Sequence, residues 1–186
     1  MNDQALLVMD FQPVILGAVG GDDSPALAAA VEAVAAARRQ EIPVVFVRVA
    51  FRPGYPEVTS ANKGQRPLAS YGDVFVETEP TAQVHPAFGV TEKDIVVTKR
   101  RMSAFAGSDL SAVITGLGVS RLVLAGLTTA GVVLSTVRYA GDCDFGITVL
   151  SDACADPEAD VHDFLIERVF PVQADVVTVK EWATSL

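Results

Sequence analysis

The sequence predicts a doubly wound α/β fold, with a six-stranded parallel sheet and helices on both of its faces. Six short apolar runs are rich in β-branched residues and lack the alternation of a half-exposed strand, which is typical of buried parallel strands. Helical patterns separate most of these runs, as expected of right-handed strand–helix–strand crossovers. Half of the 186 residues are apolar and 20% are charged, a composition that indicates a compact chain and excludes a disordered one.

The predicted strands run over residues 5–11, 43–49, 94–99, 121–126, 147–152 and 175–179. Four helices are predicted at residues 24–40, 108–116, 129–141 and 157–170. In the first helix, Ser24 can cap the N-terminus and Pro25 suits the first turn. We interpret residues 1–186 as a single domain, because no linker or internal repeat is visible.

One stretch, residues 50–91, interrupts the alternation of strands and helices. It holds five of the ten prolines and shows little periodicity. Such a stretch is too long for an ordinary connection in a compact domain. We expect it to be a functional loop or a contact between subunits.

Charge and cysteine content limit the partners and the compartment. The 23 acidic and 14 basic residues give a net charge of −9, which repels phosphate backbones and anionic lipids. No apolar run reaches the roughly 20 residues that span a bilayer, and the first residues lack the basic start of a signal peptide. We therefore expect no nucleic-acid or membrane partner and a cytoplasmic location. Cys143 and Cys154 cannot form a disulfide framework, and we interpret them as reduced structural thiols.

The functional residues are expected at the carboxyl ends of the strands, where doubly wound sheets bind ligands. Asp10 ends the first strand and can serve as an acid or base, or can only cap a turn. Lys99 and Arg101 form part of a basic run that can bind an anion or be a solvated face. The turn at residues 126–133 can present backbone N–H groups to a ligand oxygen, or can merely begin a helix.

Several common types of site lack sequence support. His85 and His162 are the only histidines, and neither stands in a zinc-binding spacing. A P-loop, a GxGxxG turn after the first strand and a GxSxG elbow are all absent. We therefore expect no metal and no cofactor.

Three blocks together carry a family resemblance over nearly the whole chain. They are LLVMDFQ at residues 6–12, VVTKRRMSAFAGSDL at residues 96–110 and RLVLAGLTTAGVVLSTVRYA at residues 121–140. The sequence resembles the isochorismatase-like hydrolase superfamily. The resemblance implies a strand order of 3-2-1-4-5-6 and a site shared by the ends of the first, fourth and fifth strands.

Most members of that superfamily are cysteine hydrolases, in which an Asp, a Lys and a Cys act together on an amide. Asp10 and Lys99 match the first two residues, whereas Val132 occupies the place of the cysteine. Valine has no nucleophilic group, and Cys143 and Cys154 lie well downstream. Amidase chemistry is therefore disfavoured.

The superfamily also contains isochorismatases, which cleave a vinyl ether without a cysteine and use the Asp as a general acid. The resemblance thus implies hydrolysis of a small, carboxylate-bearing enol ether, with Asp10 as the acid and Lys99 as its electrostatic partner. The alternative is a member that binds a small molecule without turnover.

The resemblance suggests further site residues and an assembly. The candidates for substrate binding are Gln12, Arg101, Phe105, Thr128, Thr129, Gly131 and Val132. Gln12 can instead cap a turn, and Phe105 can instead fill the core. Family members often have a cis peptide bond in this turn, here Leu127–Thr128 or close by, and they commonly form homo-oligomers. We expect a dimer or a larger assembly, and no metal, since the Asp-x-His pair of the nicotinamidases is missing after the second strand.

Overall fold

A computed structural model describes residues 3–186. Six strands form one parallel sheet in the order β3-β2-β1-β4-β5-β6, which confirms the predicted fold class and strand order. The strands are β1 (Gln4–Met9), β2 (Val44–Val49), β3 (Ile95–Lys99), β4 (Arg121–Leu127), β5 (Gly146–Ala155) and β6 (Asp175–Val177). The α-helices are α1 (Pro13–Leu16), α2 (Pro25–Arg39), α3 (Leu110–Leu117), α4 (Leu134–Asp142), α5 (Ala159–Phe164) and α6 (Val179–Thr184).

β1 lies near the middle of the sheet and is buried on both faces. Ala5, Leu7 and Met9 pack in a core that α3 and α4 cover. Leu6 and Val8 point to the opposite face, into a core that α2 and α6 cover. Alternate side chains of one strand thus fill two cores, which explains why β1 appears in the sequence as an unbroken apolar run.

The structure differs from the sequence prediction mainly at the ends of elements. β5 continues to Ala155, three residues beyond the predicted end, with a shift in its pairing to β4 between Leu124 and Gly126. The last predicted strand stops at Val177, because Thr178 caps α6 and forms a capping box with Glu181. α1 spans four residues, too few to show a periodicity.

Residues 50–91 fold into short 3₁₀ turns at Leu68–Phe75, Pro80–Ala82 and Pro86–Phe88. Phe51, Tyr55, Phe75 and Val76 form a small third core within this segment. Hydrogen bonds tie the segment to the carboxyl edge of the sheet, including one from Gln65 Nε2 to Arg100 O at 2.6 Å. Within residues 3–186, none of the helices has the length and apolar character needed to cross a bilayer.

Candidate functional site

A cavity of about 190 Å³ lies at the carboxyl ends of β1, β3 and β4. Its polar side chains are Asp10, Gln65, Lys99, Arg101 and Thr128. Its other lining residues are apolar or glycine: Ile15, Val49, Phe51, Gly64, Leu68, Phe75, Met102, Leu127, Gly131 and Val132. β3 contributes Lys99, whose long side chain reaches across β2 to Asp10 at the end of β1. The lining formed by the described residues contains no residue of β5, whose contribution the family resemblance implied.

Asp10 and Lys99 form a buried ion pair in this cavity, with Asp10 Oδ2 2.8 Å from Lys99 Nζ. Asp10 follows β1 with a φ of 60°, a left-handed conformation that Asp tolerates better than most residues. Burial raises the pKa of Asp10 from 3.8 to about 6, although the charge and hydrogen bond of Lys99 oppose this shift. Asp10 Oδ1 is buried and has no hydrogen-bond partner among the described residues.

The ammonium group of Lys99 has three acceptors. Besides Asp10 Oδ2, Lys99 Nζ donates to Arg101 O at 2.9 Å and to Met102 O at 3.1 Å. An ammonium group has three N–H donors, so all of them are used within the protein. Lys99 therefore positions Asp10 and the backbone after β3, and Arg101 is the cation better placed to receive a substrate anion.

The side chain at the predicted cysteine position is apolar and inaccessible. Val132 lines the cavity and is 1% exposed. Cys154 lies elsewhere, in the wall of a second cavity of about 550 Å³, and burial raises the pKa of its thiol to about 12. Cys143 is exposed at the end of α4. Among residues 3–186, no thiol lines the cavity that contains Asp10.

The turn after β4 supplies one wall of the cavity. The peptide bond Leu127–Thr128 is cis, at the predicted position. A wide turn, Thr129–Val133, then leads into α4. A Cβ atom on Gly131 would lie 2.8 Å from Thr128 Oγ1 and 3.3 Å from Met102 Sδ, so a larger residue would displace this wall.

Three of the predicted substrate-binding residues, Gln12, Phe105 and Thr129, lie outside the cavity lining. Gln12 is fully buried, and its amide donates to Val49 O and Ala82 O and accepts from Val49 N. Phe105 stacks on Tyr139 with a ring separation of 4.8 Å. Thr129 is also fully buried, with Oγ1 2.8 Å from His162 Nδ1. The polar groups of Gln12 and Thr129 are thus occupied within the protein.

The lining residues from α1 and from residues 50–91 were not predicted from the sequence. Phe51, Gln65, Leu68 and Phe75 close one side of the cavity, and Ile15 comes from α1. These positions lie in aperiodic chain, so no hydrophobic pattern singles them out. Their contribution fits the first of the two roles expected for this segment, that of a functional loop.

Within the described part of the chain, no group of three or more His, Cys, Asp or Glu residues is arranged to hold a metal ion.

The chain is similar to known proteins over nearly its whole length. The model of the isochorismatase domain matches residues 4–181. An uncharacterised isochorismatase family protein of Escherichia coli O157:H7 is 32% identical over 184 residues, which cover 98% of this chain and 95% of that protein. Maleamate amidohydrolase of Pseudomonas putida is 27% identical over 178 residues, which cover 94% and 82% of the two chains. The solved structure of an isochorismatase family protein from Burkholderia thailandensis has a TM-score of 0.86 and 28% identity, covering 100% of this chain and 98% of that one.

Proposed function

Because the chain belongs to the isochorismatase family of hydrolases, we propose that it hydrolyses an enol ether of a small, carboxylate-bearing molecule without a cysteine nucleophile. Asp10 is the general acid in this proposal. The observation that carries it is a buried carboxyl group with one unpartnered oxygen in a cavity whose nucleophile position holds Val132.

The environment of Asp10 suits it to donate a proton near neutral pH. With a pKa of about 6, roughly a tenth of the Asp10 carboxyl groups carry a proton at pH 7. Lys99 holds Oδ2, so Oδ1 is the oxygen left to carry that proton. A general acid works best when its pKa lies near the working pH.

The reaction balances with water as the only co-substrate. Asp10 transfers its proton to the terminal carbon of the enol ether, and an oxocarbenium ion forms. Water adds to this cation and returns a proton to the Asp10 carboxylate. The resulting hemiketal then loses its hydroxyl proton and breaks the bond from its central carbon to the alkoxy oxygen. That oxygen takes up a proton and leaves as an alcohol, and the former hydroxyl becomes the carbonyl of the second product. No step needs a covalent enzyme intermediate, so Val132 at the nucleophile position is compatible with it.

The cavity favours a small substrate with one anionic end. Arg101 donates one hydrogen bond, from Nη1 to Arg100 O, and no other partner for its guanidinium group occurs among residues 3–186. A guanidinium group can bind a carboxylate through two parallel hydrogen bonds. The remaining wall is mostly apolar and suits an uncharged body next to Asp10.

Binding without turnover is the second candidate, and Val132 favours it, because this site lacks the thiol of the cysteine hydrolases. In that case Asp10 and Lys99 form a structural ion pair beneath a ligand pocket.

A turnover screen separates these candidates. The wild-type protein and the Asp10→Asn variant are incubated with isochorismate, other enol ethers and simple amides, and products are detected by mass spectrometry. The proposal expects cleavage of an enol ether that drops by at least about 10²-fold in Asp10→Asn, the typical contribution of a general acid. Amide cleavage by the wild type, or enol-ether cleavage that survives Asp10→Asn, would overturn it.

If no substrate gives a product and a small carboxylate raises the melting temperature, the result would favour binding without turnover. The variant Val132→Cys then tests how much of the amidase site remains. Amide hydrolysis gained by this change alone would mean that only the thiol is missing from a working cysteine hydrolase.

A further inference from the structure

The turn after β4 presents residues to two opposite sides. Thr128, Gly131 and Val132 line the cavity that contains Asp10. Thr129 and Ala130, which lie between them, make side-chain or backbone hydrogen bonds to the connection that follows β5. The turn that forms one wall of the cavity is therefore hydrogen-bonded, on its side away from the cavity, to the segment after β5.

Two hydrogen bonds make this attachment. Thr129 Oγ1 lies 2.8 Å from His162 Nδ1, and Thr129 is fully buried. The N–H of Ala130 donates to Asp156 Oδ2, also at 2.8 Å. Asp156 follows β5 directly, and His162 lies in α5, so both partners come from one short connection.

The turn also has backbone hydrogen bonds of its own. Gly131 N and Val133 N donate to Thr128 O at 3.1 and 3.3 Å, and Leu134 N donates to Thr129 O and Gly131 O. None of these bonds involves the Thr129 side chain, whose hydroxyl lies beside His162. A buried hydroxyl such as that of Thr129 is costly to leave unpaired, so the bond to His162 favours a single position of the turn.

We propose that His162 and Asp156 are positioning residues, which set the place of Thr128, Gly131 and Val132 in the cavity wall without contacting the substrate. The proposal rests on the proposed function only in taking this cavity as the active site. Its test therefore uses a readout that needs no substrate.

The readout is the alkylation rate of a thiol placed in the wall by Val132→Cys. Cys143→Ser removes the exposed thiol from this background, and peptide mapping assigns the alkylated position. Iodoacetamide is the probe, and urea unfolding is measured for every variant. Thr129→Val removes the hydroxyl and nearly keeps the shape, whereas Thr129→Ser keeps the hydroxyl.

Thr129→Val is expected to speed alkylation about fivefold to tenfold, since one lost hydrogen bond makes local opening of the turn that much more frequent. His162→Leu should act in the same way. Thr129→Ser and His162→Asn retain a hydrogen-bonding atom in a similar place and should stay within about twofold of the background.

Val34→Ala controls for a general loss of stability, because it opens a cavity in the core under α2, away from this turn. An equal acceleration in Val34→Ala, or no acceleration in Thr129→Val, would overturn the proposal. Hydrogen exchange of the Ala130 amide in the otherwise unchanged sequence gives a second readout, free of the added thiol. It should be faster in Asp156→Ala than in Asp156→Asn, and equal rates would contradict the proposed role of Asp156.

Discussion

Asp10 makes the stability of the protein depend on pH in an unusual direction. Its pKa is about 6 in the folded protein and 3.8 without burial, so the folded state holds the proton more tightly than the unfolded state does. The contribution of Asp10 to stability is thus fully present below pH 3.8 and is lost as pH rises through 6. The size of this contribution is about 3 kcal/mol.

Urea unfolding of the wild type and of Asp10→Asn across this pH range measures the effect. The free energy of unfolding of the wild type minus that of the variant should fall by up to about 3 kcal/mol from pH 3.5 to pH 7. A difference that is flat or rises with pH would contradict the raised pKa, and with it the basis for Asp10 as an acid.

Arg101 should account for the recognition of a carboxylate. Arg101→Gln removes the charge and the paired donors, so the dissociation constant of a small carboxylate ligand should rise at least about tenfold. Isothermal titration calorimetry measures this change. The primary amide of the same ligand serves as the control and should bind both proteins alike. An equal loss for acid and amide would mean that Arg101 acts through packing alone.

At the level of single residues, position along a strand predicted more than residue type did. Asp10 and Lys99 were predictable because each stands at the carboxyl end of a strand, Asp10 just after β1 and Lys99 as the last residue of β3, and parallel strands end at one edge of the sheet. Gln12 has the same kind of position, but its amide turns back to Val49 and Ala82. That choice depends on where residues 50–91 fold, which no local pattern reports.

Among the elements, we expect the connection from β2 to β3 to depend on the buried side chain of Gln12. Gln12 bonds the end of β2 and the turn at Pro80–Ala82, with donor–acceptor distances of 2.8 to 2.9 Å. Gln12→Leu nearly keeps the volume and removes three hydrogen bonds, one to the buried Ala82 O and two at the partly buried O and N–H of Val49. We expect a loss of about 3 kcal/mol or more in the free energy of unfolding.

Urea unfolding checks this loss, with Gln40→Leu as the control. Gln40 is exposed at the end of α2, and its replacement should change stability by at most about 0.5 kcal/mol. A small effect of Gln12→Leu would mean that water or backbone movement satisfies the freed groups, and that residues 50–91 do not depend on this side chain.

The longer strands and helices were largely predictable, because a strand that is buried on both faces of the sheet has a continuous apolar sequence. The short elements were not. Thr178 and Glu181 form a capping pair for α6 that can be recognised in the sequence. Only Thr178 separates the six residues of α6 from the apolar end of β6, so the two elements resemble one apolar run. The walls contributed by Phe51 and Phe75 depend on long-range packing within residues 50–91, where prolines and turns hide any period.

For the whole molecule, the order of the strands was predicted from the family resemblance, because a buried apolar run does not indicate which strands lie beside it.

Two surface properties have opposite effects on self-association: the net charge disfavours it, and exposed apolar side chains favour it. The chain carries −9, so copies repel one another. Its described surface nevertheless exposes large apolar side chains, among them Phe164 at 61% and Val172 at 77%.

We expect these opposing terms to give a homo-oligomer, a dimer or larger, that tightens as salt is added. Burial of apolar surface drives the association, and salt screens the repulsion between acidic chains while leaving burial intact. Sedimentation equilibrium at low and high sodium chloride measures both the mass and its salt dependence. Association that weakens with salt would mean that ion pairs between subunits hold the assembly. A monomeric mass at every protein concentration would contradict the expected oligomer. It would mean that the exposed apolar residues do not form an interface between copies of this chain.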